Sequence, residues 1–349
     1  MRKHRAPAPR LLRVLVAAIA LLALLLSAVL LLAEQLRSQR ETQPAERLAP
    51  VGGRWINAGD ASVFVQQWGP ADGPMLLLVH GTGAWSGTWF ELPDALAAAG
   101  WRVVAVDLPP FGLSHVAASP ADYTRTAQAR RLLAVVDALG GRDVVLVGHS
   151  FGAGPALEAA LQDKTRLGRL VLVDPALGLG PAGEPPACEP EGTMDRVFAV
   201  GALRRTLVGG IATQPRFTPW LLSQFVHRKE AVDTARVPAY QRPMRRIDFS
   251  AGLADWALAF SRASCEPARS LDPKALAAWS AERKLPLRLI WGDQDSITPL
   301  AQAQALQRWL PDARLDVIAG VGHIPHIEAP EAFARTLLQA VAAPKAGAP

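Results

Sequence analysis

One pentapeptide constrains this chain more than any other feature. Gly148-His149-Ser150-Phe151-Gly152 directly follows the apolar run 144–147 and directly precedes a helix-like stretch, 153–164. Strand, tight turn and helix leave a serine at the tip. A Gly-x-Ser-x-Gly turn forces its serine into a strained backbone conformation, and Gly148 and Gly152 are needed because side chains there would collide with the adjoining strand and helix. The hydroxyl is pushed out where a substrate can reach it. The same pattern also occurs as an ordinary glycine-containing loop. The strand before it and the helix after it favour a nucleophile.

The chain has 349 residues, 50% of them apolar, enough for one large core and additional segments. The formal net charge is +6, but Arg2, Lys3, Arg5, Arg10 and Arg13 account for much of it locally. No basic cluster is interleaved with aromatics, so a nucleic-acid partner is not expected. From 14 to 33 every residue is apolar except Ser27. Twenty residues at about 1.5 Å each make roughly 30 Å of helix, the thickness of a bilayer core. A cleaved signal peptide would have a shorter apolar region and a small-x-small cleavage site. Leu31-Leu32-Ala33-Glu34 offers no good site. The expectation is an uncleaved signal anchor at 14–33, with the basic residues 1–13 cytoplasmic by the positive-inside rule. The rest would be extracytoplasmic, periplasmic in a bacterium. Two cysteines, Cys188 and Cys265, then admit either a disulfide or two buried thiols.

Residues 34–50 are polar and charged and read as a tether. Residues 61–68 alternate apolar and polar, as in an antiparallel strand. Short apolar runs follow at 75–79, 103–106, 144–147, 170–173, 287–291 and 315–318, each fitting a strand buried on both faces. Helical spacing occupies 92–99, 123–139, 153–164, 301–309 and 331–342. Repeated strand–helix units imply a mostly parallel sheet covered on both faces, an α/β architecture. Between about 176 and 284 no strand pattern occurs, while Phe198, Phe217, Trp220, Phe225, Trp256, Phe260 and Trp279 recur. Structureless loops of that length are rare, so a helical cap over the catalytic edge is expected at 176–284, with the core at 51–175 and 285–349. Its aromatics would divide between its own core and a substrate pocket.

A serine needs a base, and the base is best oriented by a buried carboxylate. Gly292-Asp293-Gln294-Asp295 follows the run ending at Trp291, and Gly322-His323-Ile324-Pro325-His326 follows the run ending at Ile318. Both lie at carboxyl ends of strands, the edge where parallel sheets place their sites. These residues make the chain resemble the α/β-hydrolase fold family from about Trp55 to the C-terminus. His80-Gly81-Thr82-Gly83 is similar to the family's oxyanion loop, and Asp107-Leu108-Pro109-Pro110-Phe111-Gly112-Leu113-Ser114 to its Asp-x-Pro-Gly-x-Gly-x-Ser loop, with Pro110 in place of the usual glycine. The resemblance implies an eight-stranded, mostly parallel sheet with a cap after Val173-Asp174-Pro175.

It also implies Ser150 as nucleophile, His323 as base and then acid, Asp295 as orienting acid, and the N–H groups of Thr82 and Phe151 as oxyanion donors. His80, Gly81, Gly148 and Gly152 would support them. Asp293 and, as in some relatives, Asp174 are rivals for the acid. His149 and His326 would be structural. A serine at this turn argues against dehalogenase and epoxide hydrolase chemistry, which uses aspartate there. Ester hydrolysis through an acyl-enzyme is expected, on apolar or lipid-type esters given the anchor. Carbon–carbon bond hydrolysis, haloperoxidase-type chemistry and a non-catalytic binding module are the alternatives. The chemistry calls for no cofactor, and the seven histidines suggest no metal site. Arg204, Arg205, Arg242, Arg245 and Arg246 would either bind a substrate carboxylate or coat the surface.

Overall fold

The computed structural model describes residues 10–342 apart from 117–121, 164, 181–183, 185–186, 189–191, 193–195 and 197. Arg2, Lys3, Arg5 and the last residue of the stretch expected at 153–164 lie outside the described residues.

Among the described residues nine strands form one sheet: β1 (Arg54–Asn57), β2 (Ala61–Trp68), β3 (Met75–Val79), β4 (Arg102–Val106), β5 (His115–Val116), β6 (Val144–His149), β7 (Leu167–Val173), β8 (Leu287–Gly292) and β9 (Arg314–Ile318). The order is β1-β2-β4-β3-β6-β7-β8-β9, and the two-residue β5 adds to β2 beside that path of eight. β1, β2 and β5 pair antiparallel, and every pairing from β4 to β9 is parallel.

Side-chain alternation explains why the strands read as continuous apolar runs. Leu77, Leu146, Leu172 and Leu289 point to a core shared with helices α4 (Arg125–Ala138) and α5 (Ala153–Gln162). Leu76, Leu78, Val147 and Ile290 point to the opposite core, with α3 (Leu92–Ala98) and the C-terminal helix Pro330–Val341. Each fully buried aliphatic side chain there contributes roughly 1.5–3 kcal/mol.

Two expectations need correction, and one strand, β1, gives no signal in the sequence. The run 315–318 is not buried on both faces: β9 is the sheet's edge, and Val317 is exposed. β1 has too short an apolar signal to announce itself, and it is fixed by pairing with β2. Residues 34–50 are not a free tether. Helix α1 (Arg10–Arg40) carries on past the apolar run, Gln43 pairs with Arg246, and Glu41 is buried.

Between β7 and β8 the described residues are helical or irregular, including α6 (Gly201–Leu207), a π-helical segment Val208–Ala212, α7 (Thr218–Phe225), α8 (Val237–Gln241), α9 (Phe249–Ser261) and α10 (Pro273–Arg283). The last of these packs under the sheet rather than over the edge. Leu276 and Trp279 join the core, and Trp279 Nε1–H donates to Ala160 O at 3.2 Å. Cys188 and Cys265 form a disulfide that closes this region on itself.

Candidate active site

Parallel register brings the carboxyl ends of the strands level: Val79 pairs with Gly148, His149 with Val173, Val173 with Ile290, and Gly292 with Ile318. The loops carrying Ser150, Asp174, Asp295 and His323 therefore leave the sheet at one edge. Ser150 has φ +51°, the left-handed conformation that its turn demands. Gly148 and Gly152 permit it. A Cβ on Gly148 would stand 2.7 Å from Ala153 Cα, and one on Gly152 would stand 2.4 Å from His80 O.

The structure brings together the three residues singled out in the sequence. Ser150 Oγ lies 2.7 Å from His323 Nε2, and His323 Nδ1 lies 2.7 Å from Asp295 Oδ2. A carboxylate at Nδ1 keeps the proton on that nitrogen and leaves Nε2 free to accept from the serine. Asp295 also accepts from the N–H groups of Ile297 and Thr298 and from Thr298 Oγ–H. Burial pulls its pKa up, but the hydrogen bond and charge of His323 and the Thr298 donors outweigh that and hold it below the ordinary value. Asp293 is turned elsewhere, accepting from Gly320 N–H at 2.7 Å.

Asp174 sits at the same edge with φ +41°, fully buried, and its Oδ1 accepts from Gly292 N–H at 2.9 Å. Burial first, then the neighbouring Asp295 carboxylate, pushes its pKa well above the ordinary range. Asp174 and Asp295 are therefore pushed in opposite directions, Asp174 toward holding its proton and Asp295 toward losing it.

Three further histidines are buried and neutral. His80 Nε2 accepts from Leu108 N–H, and its Nδ1–H donates to Gly81 O, tying the loop of Thr82 to β4's exit. Burial lowers its pKa to about 4. His149 Nε2–H donates to His323 O at 2.8 Å, and burial, reinforced by His323, lowers its pKa to about 3. His326 packs against Trp89 with ring centroids 4.6 Å apart and the planes tilted by 42°, and burial depresses its pKa as well.

Sequence reasoning missed Glu328. Its carboxylate accepts from Gly322, His227, Arg228 and Ile324 N–H groups, clamping the His323 loop to the inserted region. Its only sequence signal is an acid in a helical turn just after the histidine.

A cavity of about 260 Å³ opens onto Ser150 and His323. Thr82 lines it, while the Phe151 ring turns away from it to pack against Phe111 and Trp256. The far wall is apolar, with Leu222, Phe225, Met244, Phe249 and Trp256, and no Lys, Arg, Asp or Glu is among the described lining residues. None of the five arginines considered as carboxylate binders lines it. Arg204 pairs with Asp255, Arg242 Nε–H donates to Leu48 O, and Arg246 is buried, with Nη2–H donating to Pro110 O. These three staple the inserted region rather than coat it. No group of three or more metal-ligating side chains occurs among the described residues.

A family model described as alpha/beta hydrolase fold matches residues 74–330. The 2-hydroxymuconate semialdehyde hydrolase of Pseudomonas putida is 29% identical over 309 residues, covering 83% of this chain and 94% of that protein. The 2-hydroxy-6-oxo-6-phenylhexa-2,4-dienoate hydrolase of Comamonas testosteroni is 27% identical over 288 residues, 80% and 92% of the two chains. Among solved structures, a membrane phospholipase A superposes with a TM-score of 0.62 at 23% identity, covering 94% of this chain and 97% of that one.

Proposed function

The chain belongs to the α/β-hydrolase fold family, and on that premise we propose that it is a membrane-anchored serine hydrolase cleaving carboxylic esters with apolar acyl groups. His323 Nε2 takes the Ser150 proton as Oγ attacks the ester carbonyl carbon. The oxyanion is stabilised by the N–H groups of Thr82 and Phe151, a donor of this kind contributing about 3 kcal/mol to the transition state. His323 passes its proton to the departing alkoxide, leaving an acyl group on Ser150. Water then repeats the sequence and releases the acid. Asp295 keeps His323 in the required tautomer and balances its charge.

The observation that carries the substrate class is the uncharged, apolar wall opposite Ser150. An acyl chain is favoured there, and a carboxylate would be buried without a counter-ion. The anchor reading is supported by α1, the one helix among the described residues long and apolar enough to cross a membrane. Its end is built into the fold: Arg40 Nε–H donates to Met244 O at 3.1 Å and Arg40 Nη2–H to Thr213 Oγ1 at 2.7 Å. The Cys188–Cys265 disulfide suits an oxidising, extracytoplasmic compartment.

Carbon–carbon bond hydrolysis is the second reading, favoured by the names of the two sequence relatives. Dienoate substrates carry a carboxylate, which the described cavity does not pair. Fluorophosphonate labelling of full-length protein and of Ser150→Ala, followed by rates on p-nitrophenyl esters of increasing chain length and on a dienoate, tests both. Labelling lost in the variant, with rates rising toward longer esters, is expected. Faster turnover of the dienoate would replace the ester reading, and unlabelled wild-type protein would remove the serine mechanism.

A further inference from the structure

The end of the apolar run on α1 can be located against the inserted region. Ala33 is its last residue, and Glu34, Arg37 and Arg40 follow. Gly209 packs on Arg37, where a Cβ would lie 2.9 Å from Arg37 Cδ, and Gly210 packs on Ala33, where a Cβ would lie 2.6 Å from Ala33 Cβ. Arg37 and Ala33 are one helical turn apart, about 6 Å along the axis. The π-helical segment therefore steps from the charged turn down to the level where the apolar run stops.

The next residue, Ile211, is 57% exposed, and the one after it, Ala212, lines the cavity that opens onto Ser150. Two Cα steps of 3.8 Å put that wall within about 8 Å of Gly210. Scattered exposed aliphatic side chains need no explanation. This one lies between a membrane-crossing helix and a substrate cavity.

We infer that the cavity draws its acyl chains sideways from the outer part of the bilayer, past a mouth at Val208–Ala212 that stands in the headgroup layer with Ile211 dipping toward the hydrocarbon. The inference rests on the reading that α1 spans a membrane and deepens it, since the substrate becomes a bilayer-resident lipid ester rather than a soluble one. The physical advantage is large. Each methylene carried through water costs about fourfold in partition, and a mouth at the level of Ala33 spares a long chain that passage. The apolar cavity wall continues the surface along which the chain would slide.

The test uses full-length protein in phosphatidylcholine–phosphatidylglycerol vesicles. The native cysteines are bonded to each other, so a cysteine introduced by Ile211→Cys, Leu22→Cys or Val317→Cys is free to take an environment-sensitive fluorophore. Shallow lipid-borne quenchers should quench the label at position 211, quenchers placed deep on the acyl chain should quench that at 22, and both should leave that at 317 bright. Quenching at 22 but not at 211 overturns the inference with the anchor intact. No quenching at 22 overturns the anchor reading and the inference with it. In kinetics, Ile211→Asp should lower the ratio of the rate on a bilayer-resident long-chain ester to that on a soluble butyrate ester by about tenfold or more, while Val317→Asp shifts it less than about twofold. An unchanged ratio in Ile211→Asp means entry from water and refutes the lateral mouth. Wild-type protein that cleaves the butyrate but not the bilayer ester refutes both this inference and the lipid-type substrate.

Discussion

The two walls of the cavity are held in different ways. On the sheet side, Ser150 and Asp174 sit at positive φ directly after strands, and parallel pairing fixes where each strand ends. The chemistry there is positioned by backbone, with little freedom to adjust. On the opposite side, Ala212, Phe225, Met244 and Trp256 lie on short helices and turns. Those segments are held by side chains: Glu41, with a fully buried carboxylate, accepts from Ser250 and from Arg37 and Arg40, and Arg40 reaches back to Met244 O. Ser150 and Asp174 are thus set locally, and the apolar wall facing Ser150 is set by contacts across 170–210 residues of chain.

If that division is right, damage to the sheet side should stop chemistry, and damage to the other side should change what is cleaved. Asp295→Asn leaves His323 Nδ1 without its carboxylate and should lower kcat by about 10³–10⁴-fold with the fold intact, measured on a soluble ester. A loss below about tenfold would mean that Asp174 can take over, and that position on this edge matters less than the comparison states. Gly152→Ala forces a Cβ into His80 O and Val79 O. Backbone cannot yield cheaply, so denaturant unfolding should show about 3 kcal/mol of destabilisation together with reduced activity.

Glu41→Gln acts on the opposite wall. It leaves the Arg40 guanidinium short of its carboxylate and should cost about 2 kcal/mol. Fluorophosphonate labelling of Ser150 should persist while KM for a long-chain ester rises, and a fall in kcat alone would contradict the division.

The smallest effect on activity is expected from Asp174→Asn. A carboxyl whose folded pKa is raised contributes full stability below the unfolded value and loses it as pH rises toward the folded value. Wild-type stability should therefore decline with pH above about 4 by up to about 1.4 kcal/mol per unit relative to the variant. Activity at pH 7 should change by less than about threefold. Parallel stability–pH curves for the two proteins would mean that Asp174 is ionised in the folded state.

Legibility followed the same division. Strand runs such as 75–79 are readable because both faces are buried, which leaves no polar alternation, and Ser150, Asp295 and His323 are readable because each lies within five residues of the end of an apolar run. β9 misled because an edge strand with Leu315, Val317 and Ile318 spells the same run as a central one. Glu328 and Thr298 were silent, since a carboxylate that caps four N–H groups and a hydroxyl that feeds Asp295 look like any surface residue until the loops meet. Trp256 and Phe225 reach the cavity whereas Trp279 reaches the core and Trp220 the surface, a sorting that apolar character alone does not encode.

By itself the sequence determined the parallel α/β core, the serine at its turn, the order of serine, acid and histidine, and a twenty-residue apolar run. Each of these is a local property of hydrophobic periodicity or turn chemistry. Only the tertiary structure decided that 34–50 docks instead of tethering, that Asp174 is buried beside Asp295 with its pKa pushed up, and that the far wall carries no charge among its described residues. Those depend on which groups are taken out of water together, and burial is a property of the assembled fold rather than of any stretch of chain.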